Sequence, residues 1–183
     1  MSKKVAIQGY AASFHDVAAR QLISQDIIIV PCETFADVFA CVADGRADVG
    51  VVAIANSNFG SISESQSLVA SQPIAVTGTL DLRIEQCLLG LPGASLAGIT
   101  EVYSHFVALG QCGEYLDLFL PHATRIEHPD TAGSASDVQK WHDPSKAAVA
   151  SRAAAQLYGL AVLASGIETD KENVTSFVSF VAA

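Results

Sequence analysis

Hydrophobic residues follow two alternating patterns along the chain, short β-branched runs and longer stretches with helical spacing. The runs at residues 5–8, 27–30 and 49–54 are typical of buried strands. Between them, residues 13–23 and 34–43 have helical spacing, and each stretch opens with Ser or Thr followed three residues later by Asp, a variant of the capping box. This alternation predicts an α/β protein with a largely parallel sheet.

The same alternation returns after an extended middle segment. Residues 62–70 have helical spacing, residues 74–91 form one long extended stretch, and Pro92-Gly93 marks a turn. Beyond the turn, the pattern predicts strands at residues 101–103, 124–127, 147–150 and 175–181 and helices at residues 106–118, 131–140 and 151–158. A second α/β unit is therefore expected.

Two extended segments, near residues 74–83 and 163–167, join these α/β halves. We expect a first lobe of about residues 1–75 plus 168–183, which the C-terminal strand completes, and a second lobe of about residues 76–167. A cleft between the lobes is the expected place for a small molecule, because ligands usually bind in such concave sites.

Composition narrows the class of protein. Half of the 183 residues are hydrophobic, so a sizeable core can be buried, but no apolar run approaches the roughly 20 residues that cross a bilayer. Ten Lys and Arg stand against nineteen Asp and Glu, and the basic residues after Lys3-Lys4 are scattered, which argues against nucleic acid and anionic membrane as partners. No signal peptide precedes the first strand, so a cytoplasmic globular protein is expected.

Neither a metal nor a cofactor is expected. Cys32, Cys41, Cys87 and Cys112 form no C-x-x-C pair and lie in apolar stretches, which predicts buried thiols. The histidines lack metal-ligand spacing, and His15 on the first helix is expected to face solvent or to join a local cap. The sequence contains no G-x-G-x-x-G motif and no P-loop.

A polar loop follows the third predicted strand. It contains Asn56 and Ser57, and Gly60 then frees the backbone before a helix that is expected to begin at Ser61. Backbone N–H groups and hydroxyls at such a place form a cradle for a carboxylate. An ordinary helix cap explains the same residues equally well, so both interpretations stay open here.

The run Asn173-Val174-Thr175-Ser176-Phe177 resembles the Asn-x-Thr-Arg-Phe signature of the prephenate dehydratases. Further pieces resemble motifs of that family in the same order, and the match runs from Val5 to Phe180. These pieces are the segment 9–15, the Asn-Ser-x-x-Gly-Ser segment 56–61, Leu91-Pro92-Gly93, Tyr103-Ser104-His105, Gln111-Cys112, Asp130-Thr131-Ala132, Ala150-Ser151 and Leu157-Tyr158-Gly159-Leu160.

The resemblance implies a two-lobed fold similar to the type II periplasmic binding proteins. It also implies a homodimer that converts prephenate to phenylpyruvate, with loss of water and carbon dioxide, in phenylalanine biosynthesis. Thr175 matches the catalytic threonine, and we expect its hydroxyl to donate a hydrogen bond to the leaving group. The residues expected to bind the substrate are Ser13, Asn56, Ser57, Gly60, Ser61, Ser104, His105, Thr131, Ser176 and Phe177.

The chain departs from the family pattern at several positions. Ser176 stands in place of Arg, Ala55 in place of Glu and Phe106 in place of Pro, while Tyr10 and Ala12 replace Pro and Gly in the first loop. If the Arg and the Glu form an ion pair in the family, both charges can be lost together without leaving one buried and unpaired. This hypothesis requires that residues 55 and 176 lie close together.

Three functions fit this sequence. The first is a prephenate dehydratase, the second is a divergent decarboxylase that retains the ring hydroxyl, and the third is a non-catalytic relative that binds a small molecule. The choice between prephenate and arogenate stays open. Many members of the family carry a further C-terminal regulatory domain, and this chain, ending at Ala183, is expected to have none. Control is then absent or supplied by another chain, unless the sequence is a piece of a longer protein.

Overall fold

Two β-sheets organise residues 2–183, the part of the chain that the computed structural model describes. The first unit extends to Ile84 and includes Glu172–Ala183, and the second unit is Glu85–Lys171. The first stretch of the first unit contains β1 Lys3–Gln8, α1 Phe14–Leu22, β2 Ile27–Cys32, α2 Phe35–Ala43, β3 Val49–Asn56, β4 Gly60–Ser61, α3 Ser63–Ser71 and β5 Ile74–Arg83. The second unit contains β6 Cys87–Gly90, β7 Glu101–Ser104, α4 Phe106–Gln111, α5 Gly113–Phe119, β8 Thr124–Glu127, α6 Thr131–Trp141, β9 Lys146–Ala150, α7 Arg152–Tyr158 and β10 Ala161–Ser165, with a short 3-10 turn at Leu96–Gly98. The chain then returns to the first unit as β11 Val174–Ala182.

In the first unit the strands follow the order β2-β1-β3-β11-β5, with β4 paired to β3. Strands β1, β2 and β3 are parallel, whereas β11 runs antiparallel to both β3 and β5. Parallel strands end at one edge of a sheet, so the segments that follow β1 and β3 lie at the same edge.

Alternate residues of β11 face two different hydrophobic layers. Phe177 packs with α1 residues and with Val51 of β3 on one face. Phe180 packs with α2 residues on the other face, where its ring stacks on Phe39 at 4.3 Å. We call these the α1 face and the α2 face of the sheet. Polar side chains on the same face can act on one ligand, whereas side chains on opposite faces are separated by the sheet.

Local chemistry explains the helix starts in the first unit. Thr34 and Asp37 form a complete capping box at α2. At α1, the Ser13 hydroxyl accepts a hydrogen bond from Asp16 N, but the Asp16 carboxylate accepts from Ala12 N at 2.6 Å and pairs with Arg20 at 2.8 Å. The capping box that was predicted there is therefore only half formed.

In the second unit the strands follow the order β10-β6-β9-β7-β8, and β7, β8 and β9 are parallel. The core of this unit includes Leu88, Val102, Leu116 and Ile167. Within the described residues 2–183, no helix is long and apolar enough to cross a membrane.

Two predicted elements are divided in the structure. The helix expected at residues 106–118 is two helices, because Cys112 leaves helical geometry with φ −101° and ψ 10° between α4 and α5. The extended stretch at 74–91 is β5 and β6, interrupted at residues 84–86.

The boundary between the two units also differs from the expected one. Because β5 pairs with β11 along its whole length, β5 belongs to the first unit, and the boundary lies at Ile84 rather than near residue 75. The return to the first unit lies at Glu172 rather than near residue 168.

All four cysteines are free and buried, as predicted. Burial raises the pKa of Cys32 and of Cys112 to about 12, which keeps both thiols protonated at neutral pH.

We expect Gly50→Ala to destabilise the first unit. A Cβ at position 50 would lie 2.3 Å from Cζ of Phe180, so the ring would be displaced from its stack on Phe39, at a cost of about 1–3 kcal/mol. Gly110→Ala is the matched control, because a Cβ there meets no atom within 4 Å, and Ala in a helix stabilises it by about 0.5–1 kcal/mol. Urea denaturation measures both changes, and equal stabilities of Gly50→Ala and wild type would contradict this packing.

Candidate functional site

A group of polar side chains lies where β3 ends beside β11. Thr175 of β11 stands directly opposite Asn56 of β3, and Ser176 stands opposite Ala55. The next partner of β11 is Ala53, so Ile54 is an extra residue in β3, which makes a β-bulge. Without this bulge Ala55 would face Thr175, so the bulge is what places the Asn56 amide beside the threonine.

Hydrogen bonds fix which way the Asn56 amide points. Its Oδ1 accepts from Asn58 N at 2.9 Å and from Phe59 N at 3.2 Å, which identifies the oxygen without ambiguity. Its Nδ2 therefore faces β11 and donates at 2.8 Å to Asn173 Oδ1 and at 2.8 Å to Thr175 Oγ1.

This arrangement sets the polarity of the Thr175 hydroxyl. Because Oγ1 accepts from Asn56, the hydroxyl proton is left to be donated, and no acceptor for it occurs among residues 2–183. Thr175 is buried, with 8% of its surface exposed. A hydroxyl held in this way can donate a hydrogen bond to a ligand oxygen.

The cradle predicted in the loop after β3 is filled by the protein itself. The N–H groups of Asn58 and Phe59 bind Asn56 Oδ1, and Ser57 ties the loop to β11 through its backbone N–H and its hydroxyl, which bond Val174. Gly60 makes the turn with φ of +75°. Helix α3 begins at Ser63, without a side-chain cap, so the expectation of a helix start at Ser61 is wrong.

Ser176 and Ser61 lie on the other face of the sheet from Thr175. Successive residues of a strand point to opposite faces, and both serines stand opposite Ala55 in neighbouring strands. The Ser176 hydroxyl donates to Asp81 Oδ1 at 2.6 Å, so its proton is already used. The expectation that Ser176 binds the same ligand as Thr175 is therefore not supported, whereas the expected proximity of residues 55 and 176 is confirmed.

Phe177 is a core residue, because only 1% of its surface is exposed. Its ring meets the His15 ring edge-on at 5.1 Å. The structure thus places Phe177 in the core beside His15 of α1, and the expectation that it binds substrate is not supported.

Helix α1 begins on the same face as Thr175. Ser13 caps it, and Nε2 of His15 accepts a hydrogen bond from Ala53 N at 3.3 Å, at the β-bulge. Burial lowers the pKa of His15 from 6.5 to about 4, so the ring is neutral and Nδ1 carries the proton. The expectation that His15 faces solvent is wrong, because the ring is needed to satisfy the backbone at the bulge.

The second unit holds the other predicted residues at the ends of its parallel strands. The buried Ser104 hydroxyl donates to Val149 O at 2.6 Å and so joins β7 to β9. His105 precedes α4, where its Nδ1 accepts from Val107 N at 3.4 Å. Thr131 is the first residue of α6, but Asp130 supplies the cap by accepting from Gly133 N. The carboxyl ends of β7 and β8 thus bring His105 and Thr131 to one edge of this sheet.

Asn173 is the residue that sequence reasoning missed. Only 1% of its surface is exposed, and it directly precedes β11, two residues before Thr175. Its position as the first letter of the Asn-Val-Thr-Ser-Phe run was the available signal.

Comparisons with known proteins match nearly the whole chain. A family model described as prephenate dehydratase matches residues 5–182. A bifunctional N-acyl-homoserine lactone acylase/prephenate dehydratase of Komagataeibacter europaeus is 36% identical over 174 residues, which are 94% of this chain and 60% of that relative. Arogenate dehydratase 1 of Petunia hybrida is 36% identical over 175 residues, which are 96% of this chain and 41% of that protein.

A solved structure also matches this chain. A prephenate dehydratase from Arthrobacter aurescens in complex with L-Phe matches with a TM-score of 0.88 at 26% identity, covering 98% of this chain and 60% of that chain. The expected α/β fold and the resemblance stated above are confirmed. The chain spans between 41% and 60% of the length of these three relatives.

We expect charges introduced at positions 55 and 176 to couple. Ala55→Glu alone adds a carboxylate near Asp81 and should destabilise the sheet, whereas Ser176→Arg places a cation directly opposite both carboxylates. The free energy of unfolding of the double variant should exceed the value expected from the two single changes by about 0.5–1 kcal/mol. A double-mutant cycle of urea denaturations measures this coupling, and a value of zero would contradict the pairing register.

His15 should make the stability depend on pH. Its pKa is about 4 in the folded protein and 6.5 when exposed, so stability is complete above pH 6.5 and falls as the pH decreases towards 4. The loss is about 3 kcal/mol at most. His15→Gln keeps an acceptor for Ala53 N but does not titrate, so its profile from pH 7.5 to 4 should be flatter. Denaturation curves across this range measure both proteins, and parallel profiles would refute the assignment.

Proposed function

Because the chain belongs to the prephenate dehydratase family, we propose that it is a lyase that converts prephenate to phenylpyruvate in phenylalanine biosynthesis. The observation that carries this proposal is the hydroxyl of Thr175, which accepts from Asn56 Nδ2 at 2.8 Å and keeps its proton for a ligand. A hydroxyl with this polarity suits a reaction in which an oxygen leaves with negative charge.

The reaction requires little covalent chemistry from the protein, because the bonds that break all lie within the substrate. As the ring carboxylate leaves as carbon dioxide, the electron pair of the broken C–C bond completes the aromatic ring and the C–O bond breaks, expelling hydroxide. The hydroxide takes a proton from solvent and becomes water. Thr175 stabilises the charge on the departing oxygen by donating a hydrogen bond, without being deprotonated itself. Aromatisation supplies the driving force, so orientation of the substrate and one directed donor are the main requirements.

The decarboxylase alternative loses its main argument. That alternative rested on the absence of Arg at position 176, but Ser176 is on the α2 face and binds Asp81, while Thr175 is on the α1 face. A change on the α2 face leaves the donor on the α1 face intact. Retention of Thr175 with an oriented hydroxyl favours loss of the ring hydroxyl.

The activities for which two relatives are named suggest two further substrates to test, arogenate and an N-acyl-homoserine lactone. One relative is an arogenate dehydratase and another is also an N-acyl-homoserine lactone acylase. Hydrolysis by a threonine nucleophile needs a base bonded to the hydroxyl, and among the described residues no imidazole bonds Thr175. Dehydration is therefore the reaction we favour. Homodimerisation and a cytoplasmic location stay predictions from the sequence.

We expect wild-type protein to release phenylpyruvate and carbon dioxide from prephenate, and Thr175→Val to lower kcat at least a hundredfold while the fold is kept. Thr79→Val is the matched control, since Thr79 is an exposed residue of the neighbouring strand β5, and it should keep the wild-type rate. Thr175→Ser retains the hydroxyl and should recover part of the rate.

The assay follows phenylpyruvate absorbance and carbon dioxide together, with arogenate and an N-acyl-homoserine lactone as separate substrates. Carbon dioxide without an aromatic product would favour the decarboxylase. Turnover of the lactone alone, or no turnover of any substrate, would overturn the proposed function.

A further inference from the structure

The side-chain amide of Asn173 has a hydrogen-bonded oxygen and a nitrogen that makes no hydrogen bond within residues 2–183. Its Oδ1 accepts from Asn56 Nδ2 at 2.8 Å, and the orientation of Asn56 is fixed by two backbone N–H groups. A flip of Asn173 would bring two NH₂ groups face to face, so its Nδ2 points away from Asn56. Within the described range 2–183, this Nδ2 is buried and has no hydrogen-bond partner.

An open donor at this place is unusual. Buried polar groups are nearly always bonded, and one left open destabilises a fold. The rest of the network around Asn173 is satisfied, because Asn56 bonds at both ends and the Asn173 carbonyl accepts from Ile84 N at 2.8 Å. The missing hydrogen bond is thus that of one NH₂ group. It lies two residues from the Thr175 hydroxyl, whose proton also has no acceptor among residues 2–183.

Asn173 and Thr175 form a pair of donors. They are two residues apart on one face of the chain, and both are held at 2.8 Å by the same Asn56 Nδ2. Asn56 takes the acceptor atom of each side chain, which leaves the donor of each available. Two fixed neutral donors on one strand suit a ligand that carries two separate oxygen groups.

We propose that Asn173 binds substrate, its Nδ2 donating a hydrogen bond to a carboxylate oxygen while Thr175 faces the leaving hydroxyl. This inference rests on the proposed function, which assigns the hydroxyl to Thr175. Asn173 is then a residue that positions the substrate against Thr175, and its loss raises KM and Kd in addition to any change in kcat.

Asn173→Asp separates this role from a structural one. The carboxylate still accepts from Asn56, so the network within the protein is kept, but its second oxygen repels a substrate carboxylate where Nδ2 attracts it. Asn173→Ala removes both ends of the amide. We expect Asn173→Asp to weaken prephenate binding at least tenfold and more than Asn173→Ala does, and the defect should shrink as the pH falls and the aspartate becomes protonated.

Wild-type turnover decides the proposed function, and equilibrium binding decides the role of Asn173. Calorimetry with prephenate uses the Thr175→Val background if wild type turns the substrate over, and wild type itself if it does not. In the same background, the NMR signal of the Asn173 side-chain NH₂ should shift when prephenate is added, which tests the contact even if a variant fails to fold. An unchanged Kd in folded Asn173→Asp, an NH₂ signal that does not move, or no prephenate binding at all would overturn the proposal and leave Asn173 as a structural link that bonds buried water.

Discussion

The hydrogen bonds made by the Asn56 amide determine everything else at the candidate site. Two backbone N–H groups of its own loop fix the oxygen, so the nitrogen has one direction in which to donate. That nitrogen joins β3 to β11 and gives both Asn173 and Thr175 their polarity. If the Asn56 amide were flipped, its oxygen would face Thr175 and the threonine hydroxyl would donate to it. The proton needed for the reaction would then be bonded within the protein. The loop is therefore part of the site through the orientation it imposes, while the N–H groups of Ser57, Asn58 and Phe59 are already bonded within the protein.

The two-residue period of a strand explains why a changed signature residue need not mean a changed activity. Thr175 and Ser176 are neighbours in the sequence, but one faces α1 and the other faces α2 with Ala55 and Asp81. Ser176 and Ala55 stand opposite each other, so a family ion pair at these positions would be a contact across two strands. Its replacement by two small side chains removes both charges together, and a hydroxyl bonded to Asp81 remains. The departure from the family pattern is thus a local change on the face away from Thr175.

The sequence predicted the order and type of most elements, because periodicity and caps are local properties. The capping box at Thr34 and the strand at β11 depend on residues close in the chain, and both were found. The division of residues 74–91 into two strands could not be predicted from the sequence, because β5 ends where its pairing with β11, about a hundred residues away, ends. At the site, the sequence suggested Thr175 and Asn56 but also Ser176 and Phe177, because adjacency along the chain was taken for a shared direction. The bulge at Ile54 and the role of His15 depend on contacts between distant segments, which no local pattern reveals.

A buried polar network is stable only when its groups are hydrogen-bonded. In the network around Asn56, the bonds that join the protein's own segments are all formed. His15 satisfies the backbone at the bulge, Asn56 satisfies its loop and β11, and Ser57 closes the end of that strand. Two donors on the α1 face that have no acceptor among residues 2–183 are the Thr175 hydroxyl and the Asn173 amide, and both are uncharged, in a chain with a net charge of −9. Neutral donors cost less to bury than a cation, and rigid neighbours hold them in place before a ligand arrives. Selectivity at such a site depends on the direction of hydrogen bonds more than on net charge, and it is the Asn56 amide that sets that direction.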